Sequence, residues 1–173
     1  MISEVIEAKP HHVGKILQRL RAEHLGCLVG SGIERREIHR EMRKVFDDSA
    51  FRRAWIVDGE LAAVGGVTGS LLSPYGFVWL ALSQDVIRFP LAIVREARRQ
   101  LGEIMATKTE LATTILADDD VALRFSAFLG FHSKHSPRLR TWRDHLRSIQ
   151  TEAPRIPVKN GFALAIGYHQ GLN

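Results

Sequence analysis

The chain has 173 residues, of which 45% are hydrophobic and 25% charged, with a formal net charge of +5 and a single cysteine. This size and composition fit one soluble domain with its own core, and one cysteine excludes an internal disulfide. No apolar run reaches the roughly 18 residues of a membrane span, and the N-terminus shows no basic region followed by an apolar stretch, so a cytoplasmic origin is expected.

The N-terminal third is predicted to form a strand followed by two helices. ISEVI alternates like a short strand, and Pro10 suits the first turn of a helix. The apolar positions of that helix are Val13, Ile16, Leu17 and Leu20. The glycine-bearing segment GCLVGSG is predicted to break the helical structure, and a second amphipathic helix follows around Ile38, Met42, Val45 and Phe46.

The middle of the chain is predicted to contain a hairpin and a central strand. RRAWIV and ELAAVGGVTG flank Asp58-Gly59, a pair that favours a type I′ turn. GFVWLAL is apolar at almost every position, which indicates a strand buried on both faces. An amphipathic helix then runs through DVIRFPLAIVREARRQL, and ELATTIL reads as another buried strand.

The last third begins with a helix whose ends are well marked. DDDVALRFSAFLGF opens on three acids suited to an N-cap and the helix dipole, and Gly130 stands where a C-cap glycine belongs. FHSKHS and FALAIGY are predicted strands. Between them, residues 137–160 are predicted to form a helical insertion within a single domain spanning residues 1–173.

The resulting order of strands and helices predicts an α/β (α+β) sandwich. This order resembles the GNAT superfamily of N-acetyltransferases, and so does the segment in which Asp119, Ala122, Ser126, Gly130 and Phe131 occupy motif positions of that family. The resemblance implies a mixed sheet of about seven strands with helices on both faces. It also implies a split after the fourth strand in which acetyl-CoA would lie.

The segment that would hold the CoA diphosphate departs from the family pattern. The resemblance places the glycine-rich diphosphate loop at Arg88-Phe89-Pro90-Leu91-Ala92-Ile93. If CoA binds, its contacts would come from Leu82, Arg88, Leu91, Ala92 and Ile93. Because Pro90 has no N–H, and because Leu91 and Ile93 replace small residues, we expect this site to be closed and no cofactor to bind. Acetyl-CoA is the cofactor if the loop still works.

The residues that would carry acetyl transfer are also altered. Ser126 stands where many family members have a tyrosine that protonates the leaving thiolate, and a serine hydroxyl is too weak an acid for that task. Tyr168 is the remaining candidate acid, and Asp85, just after the fourth strand, is the candidate general base.

The insertion carries a cluster that is typical of a protein-binding surface. Trp142 lies among arginines, and aromatic and arginine side chains dominate binding energies at interfaces. The alternative is that Trp142 packs the extra helix onto the body. The predicted partner-binding residues are Arg138, Arg140, Trp142, Arg143 and Arg147. No metal site is predicted, since the His132–His135 pair lacks further ligands nearby.

The favoured interpretation is a catalytically degenerate protein that acts as a structural or assembly component. A similarity in length and layout to a tailed-phage family, the internal virion protein A family, implies a phage origin. It also implies oligomers or phage-particle proteins as partners, and residence in the virion or the bacterial host cytoplasm. Nucleic acid is a less favoured partner, since the net charge is modest. The alternative is an acetyl-CoA-dependent N-acetyltransferase with an atypical cofactor loop.

Overall fold

The computed structural model of the chain describes residues 2–30, 34–115, 119–133 and 165–169. The strands are β1 (Ser3–Glu7), β2 (Ser49–Val57), β3 (Glu60–Thr68), β4 (Tyr75–Leu82), β5 (Glu110–Thr114), β6 (His132–Ser133) and β7 (Ala165–His169). The α-helices are α1 (Pro10–Gln18), α2 (Ala22–Gly30), α3 (Ile38–Asp47), α4 (Pro90–Met105) and α5 (Asp120–Phe128). Short 3₁₀ helices precede α3 at Arg35–Glu37 and α4 at Gln84–Arg88.

The strands form one mixed sheet in the order β1-β2-β3-β4-β5-β7-β6. Strands β1 to β4 are antiparallel neighbours, and β4 pairs with β5 in parallel. The apolar strand GFVWLAL is therefore central, as its composition predicts. The prediction of about seven strands in a mixed α/β sheet is confirmed.

The β2–β3 connection is the type I′ hairpin predicted from Asp58-Gly59. Asp58 has φ 48° and Gly59 φ 82°, so both central residues adopt the left-handed region that this turn requires. The turn fixes the register of the two strands, and that register decides which residues face each side of the sheet.

Helices cover both faces of the sheet, also as predicted. On one face, α1 and α3 pack on the sheet through a core of Val13, Ile16, Phe46, Ala54, Val64 and Trp79. On the other face, α4 and α5 pack over two clusters. The first includes Trp55, Val57, Leu82 and Ile93. The second includes Val67, Ile104, Leu111 and Phe131. Arg98 ties α4 to α5, because its guanidinium donates to Phe128 O at 2.7 Å.

One predicted break is wrong. The first five residues of the segment GCLVGSG, residues 26–30, do not break the helical structure, because they belong to α2. A Cβ added at Gly26 would meet nothing within 4 Å, so this glycine fills no steric role in the helix. A glycine inside a helix costs about 1 kcal/mol relative to alanine, a cost that contacts elsewhere in α2 can offset.

No helix among the described residues has the length and apolar character needed to cross a membrane. The predicted helical insertion at residues 137–160 lies outside the described residues, so its structure and the single-domain boundary of 1–173 stay predictions.

Candidate functional site

Strands β4 and β5 run together for only a short distance and then separate. Their parallel ladder covers residues 75–77 of β4 and 110–112 of β5, whereas β4 stays paired with β3 as far as Leu82. A gap therefore opens in the centre of the sheet, beside the C-terminal half of β4. This is the split predicted after the fourth strand.

The backbone of β4 presents hydrogen-bonding groups to this gap. Ser83 N–H donates to Ala62 O of β3 at 2.9 Å, and hydrogen-bonding direction alternates along an antiparallel strand. The N–H and C=O groups of Leu80 and Leu82 therefore point away from β3, toward the gap.

The connection between α1 and α2 occupies the Leu82 end of this edge. Arg21 N–H donates to Leu82 O at 3.1 Å, and Gln84 N–H donates to Arg19 O at 2.8 Å. Leu82 N–H donates to His24 Nδ1 at 3.4 Å. Because Leu82 is engaged in this way and its side chain lies in the core, Leu80 is the β4 residue whose backbone faces the gap.

His24 is a residue of this site that sequence reasoning missed. Burial lowers the pKa of its imidazole below the ordinary value of 6.5, and Arg21 lowers it further, while Asp119 and Glu23 act in the opposite direction. Since Nδ1 accepts the Leu82 N–H, the neutral ring carries its proton on Nε2. A lone histidine on a short helix gives no signal in the sequence.

The N-terminus of α4 lies directly after β4 and its 3₁₀ turn. The helical ladder begins where Ile93 N–H donates to Phe89 O at 3.0 Å, so the N–H groups of Leu91 and Ala92 precede it. Phe89 provides no side-chain cap, and the first turn contains no acid. Arg88 is exposed beside it. The helix dipole and this guanidinium together make the end of α4 electropositive.

The side chains of Leu91 and Ile93 do not close this helix end, contrary to the expectation from sequence. Leu91 is 84% exposed, and Ile93 is 9% exposed and packs under α4 against the sheet. Leu91 and Ile93 are two residues apart, so their side chains point about 200° apart around α4, one toward solvent and the other toward the sheet. Ala92 is partly buried and adds only a methyl group.

Asp85, the candidate base, lies in the 3₁₀ turn after β4 and forms an ion pair. Its carboxylate accepts a hydrogen bond from Arg19 Nη2 at 2.5 Å, and Arg19 also pairs with Glu60 at the start of β3. The pair links the end of α1 to the 3₁₀ turn, close to the connection that occupies the β4 edge. Asp85 is thus near the site, where it shares the Arg19 guanidinium with Glu60.

The two candidate proton donors lie in different situations. Ser126 is 5% exposed, and its Oγ donates to Leu123 O of the same helix at 2.8 Å, so its hydroxyl faces its own helix. Tyr168 lies in β7 opposite Leu111 of β5, and its side chain is outside what the structure describes. The predicted partner-binding residues Arg138, Arg140, Trp142, Arg143 and Arg147 also lie outside the described residues.

Comparison with known proteins bears on the fold. No protein-family model matches the chain, and no curated protein matches it. Among solved structures, a PaiA N-acetyltransferase from Thermoplasma acidophilum in complex with coenzyme A is similar over 98% of this chain and 100% of its own, with a TM-score of 0.61 and 11% identity.

Two further solved structures agree. The ribosomal-protein-S18-alanine N-acetyltransferase from Escherichia coli covers 99% of this chain and 96% of its own, with a TM-score of 0.61 and 13% identity. An acetyltransferase of the GNAT family from Streptococcus pneumoniae covers 98% and 100%, with a TM-score of 0.55 and 12% identity. The chain therefore has the GNAT fold.

Proposed function

We propose that this protein is an acyl-CoA-dependent N-acetyltransferase of the GNAT superfamily that binds its thioester in the gap between β4 and β5. The observation that carries the proposal is the separation of these strands beside an uncapped, electropositive α4 N-terminus. A neighbour with the same fold was solved in complex with coenzyme A, which supports this choice over a protein without a cofactor.

The residues present fit an anionic, amide-bearing ligand. The N–H groups of Leu91 and Ala92 and the guanidinium of Arg88 would hold the diphosphate, since a helix N-terminus favours negative charge. The backbone of Leu80 would hold the extended arm in the manner of an added strand. A bound acetyl-CoA would supply the activated acyl thioester.

Asp85 and Tyr168 remain the proposed proton acceptor and donor. An amine must lose a proton to become acylated, and a carboxylate near the end of β4 is the acceptor that the described part of the chain offers. If Asp85 acts in this way, the hydrogen bond from Arg19 orients its carboxylate. The expected result of Asp85→Asn is lost turnover with unchanged CoA binding.

Isothermal titration with CoA and acetyl-CoA tests the binding step. We expect micromolar affinity that weakens with added salt. Arg88→Gln should weaken it about fivefold, as expected for one partly exposed charge-assisted hydrogen bond worth about 1 kcal/mol. Arg95→Gln removes the same charge from an exposed site on the same helix and should change the affinity less than twofold. Absence of binding heat from the unmodified protein would contradict the proposal.

A second candidate is a GNAT-fold protein that binds CoA or a partner without catalysis. The engagement of Ser126 with its own helix favours it, because no proton donor then remains at that motif position. Thiol release from acetyl-CoA over a panel of primary amines distinguishes the two candidates. The virion role rests on the likeness in length and layout alone, and the comparisons add nothing to it.

A further inference from the structure

A cavity of about 110 Å³ lies between α4 and the sheet. Its exposed wall surface is almost entirely apolar and comes from β1 to β4 on one side and from α4 and the segment after α5 on the other. The proposed contacts with CoA do not use it, apart from one shared residue, Leu80.

The cavity exists because small residues face each other across the two layers. Ala63 and Gly65 of β3 lie on the sheet wall, and Ala97 lies on the helix wall. A Cβ at Gly65 would lie 3.0 Å from Leu80 Cδ1 and 3.0 Å from Trp79 O. Gly65 is therefore required by the close approach of β4, whereas larger residues at Ala63 and Ala97 would fill the space between the layers.

The size and lining of the cavity indicate what it can hold. At roughly 30 Å³ for a water-sized group, it has room for about four such groups. The space is partly open at its surface, and its apolar lining favours an apolar occupant over water. Three polar side chains, Arg53, Glu96 and Gln100, also line the cavity. Gln100 Oε1 is buried and accepts no hydrogen bond from the described residues, while its Nε2 donates to Glu96 at 2.9 Å.

Leu80 connects the cavity to the gap. Its side chain lines the cavity, and its backbone faces the space between β4 and β5. A chain attached to a thioester on the β4 edge would therefore have an apolar space beside it, under α4. A two-carbon acetyl group is too short to fill that space.

We propose that this cavity binds a short aliphatic chain of about four carbons, and that the chain is the acyl group of the thioester. This inference rests on the proposed function, because the thioester must first bind in the gap. The same aliphatic chemistry could come from a free small molecule, with a hydroxyl donating to Gln100 Oε1. The experiment therefore has one arm for each source.

The first arm measures the affinities of acetyl-CoA and butyryl-CoA by titration. Butyryl-CoA has two more methylene groups and should bind about tenfold more tightly if both are buried. Ala97→Leu fills the cavity and should abolish this preference while leaving the acetyl-CoA affinity within twofold. Ala106→Leu adds the same volume at the exposed end of α4 and should preserve the preference.

The second arm uses n-butanol and thermal unfolding of the same three proteins. Butanol should raise the unfolding temperature of the unmodified protein and of Ala106→Leu but not that of Ala97→Leu. This result would support binding of a free aliphatic molecule in the cavity. If Ala97→Leu does not fold, Val78→Ile narrows the opposite wall and should reduce both effects.

The outcomes separate the two proposals. If neither acyl-CoA binds, the proposed function fails, and the butanol arm alone decides whether the cavity is a site. The inference would be overturned if acetyl-CoA and butyryl-CoA bind with equal affinity and butanol affects the unfolding of the unmodified protein and of Ala97→Leu equally.

Discussion

Gly66 in β3 is required by the close approach of its neighbours. A Cβ at this position would lie 2.5 Å from Phe51 O and 3.0 Å from Trp79 Nε1. The Trp79 indole cannot move aside freely, because it donates to Ser49 Oγ at 2.7 Å in the buried core. The strand pattern ELAAVGGVTG gives no reason for this glycine, since the reason lies on the strands on either side.

We expect Gly66→Ala to reduce the free energy of unfolding by about 2 to 3 kcal/mol, because overpacking against backbone forces the strands apart. Gly102→Ala is the matched control. Gly102 is exposed in α4 with nothing within 4 Å of an added Cβ, so alanine should raise stability by about 1 kcal/mol through helix propensity. Urea unfolding measures both changes, and equal effects of the two substitutions would refute the steric argument.

Residues that act through their immediate neighbours in sequence were predictable. Asp119 accepts the Ala122 N–H at 2.9 Å and caps α5, and Gly130 ends it with φ 95°. The orientations of Leu91 and Ile93 were not, because the pattern of residues does not say which side of α4 meets the sheet at its first turn.

At the scale of elements, Lys108 joins the end of α4 to the β3–β4 loop. The side chain is buried, and Nζ donates to Ser70 O and Ser73 O at 2.6 Å and to Leu71 O at 3.3 Å. A loop that exposes Leu71 and Leu72 is thereby held in place. A single lysine in ATKTE gives no hint of this role.

We expect Lys108→Met to cost about 2 to 3 kcal/mol of stability, since three loop carbonyls would lose a buried charged donor. Cleavage by chymotrypsin at Leu71 or Leu72 should also become faster. Lys44→Met removes an ammonium from an exposed ion pair with Glu41 and should change stability by less than about 0.5 kcal/mol. If Lys108→Met leaves the free energy of unfolding and the cleavage rate unchanged, the loop keeps its conformation without Lys108.

The α1–α2 connection is a second link between elements that only the structure shows. Its residues form an isolated bridge to the end of β4, at Leu20 and Ser83, and they limit the exposed β4 edge to Leu80. The sequence pattern predicts that the first helix continues through Leu20, yet the chain leaves the helix after Gln18 and defines one boundary of the candidate site.

At the scale of the whole molecule, two histidines should make stability depend on pH. Burial is the main cause that lowers the pKa of both His12 and His24. His12 Nδ1 accepts the Lys9 N–H at 2.9 Å, and His24 Nδ1 accepts the Leu82 N–H. Protonation would break both bonds, so the folded state favours the neutral rings.

The folded-state pKa of each histidine lies below its unfolded value of about 6.5, so the unfolded chain binds protons first as the pH falls. The stabilisation of the folded state by each neutral ring is fully present above the pKa of the unfolded state. It is lost as the pH falls through the pKa of the folded state. Each histidine can contribute a slope of up to about 1.4 kcal/mol per pH unit.

We therefore expect the free energy of unfolding to decrease between pH 7.5 and 5.5. His24→Asn retains an acceptor near Leu82 N–H without titrating, so it should reduce this slope. Urea unfolding at several pH values measures the slopes, and identical slopes for His24→Asn and the unmodified protein would refute the assignment to His24.

The sequence by itself determined the order of elements apart from α2, the I′ turn, the central strand and the caps of α5, because each depends on hydrophobic periodicity or on contacts within a few residues. Tertiary structure decided the rest. The length of the β4–β5 ladder, the direction of Leu91 and Ile93, the place of His24 and the cavity under α4 all depend on how helices seat on a twisted sheet. These features depend on contacts between residues far apart in the chain, and a local sequence pattern does not predict such contacts.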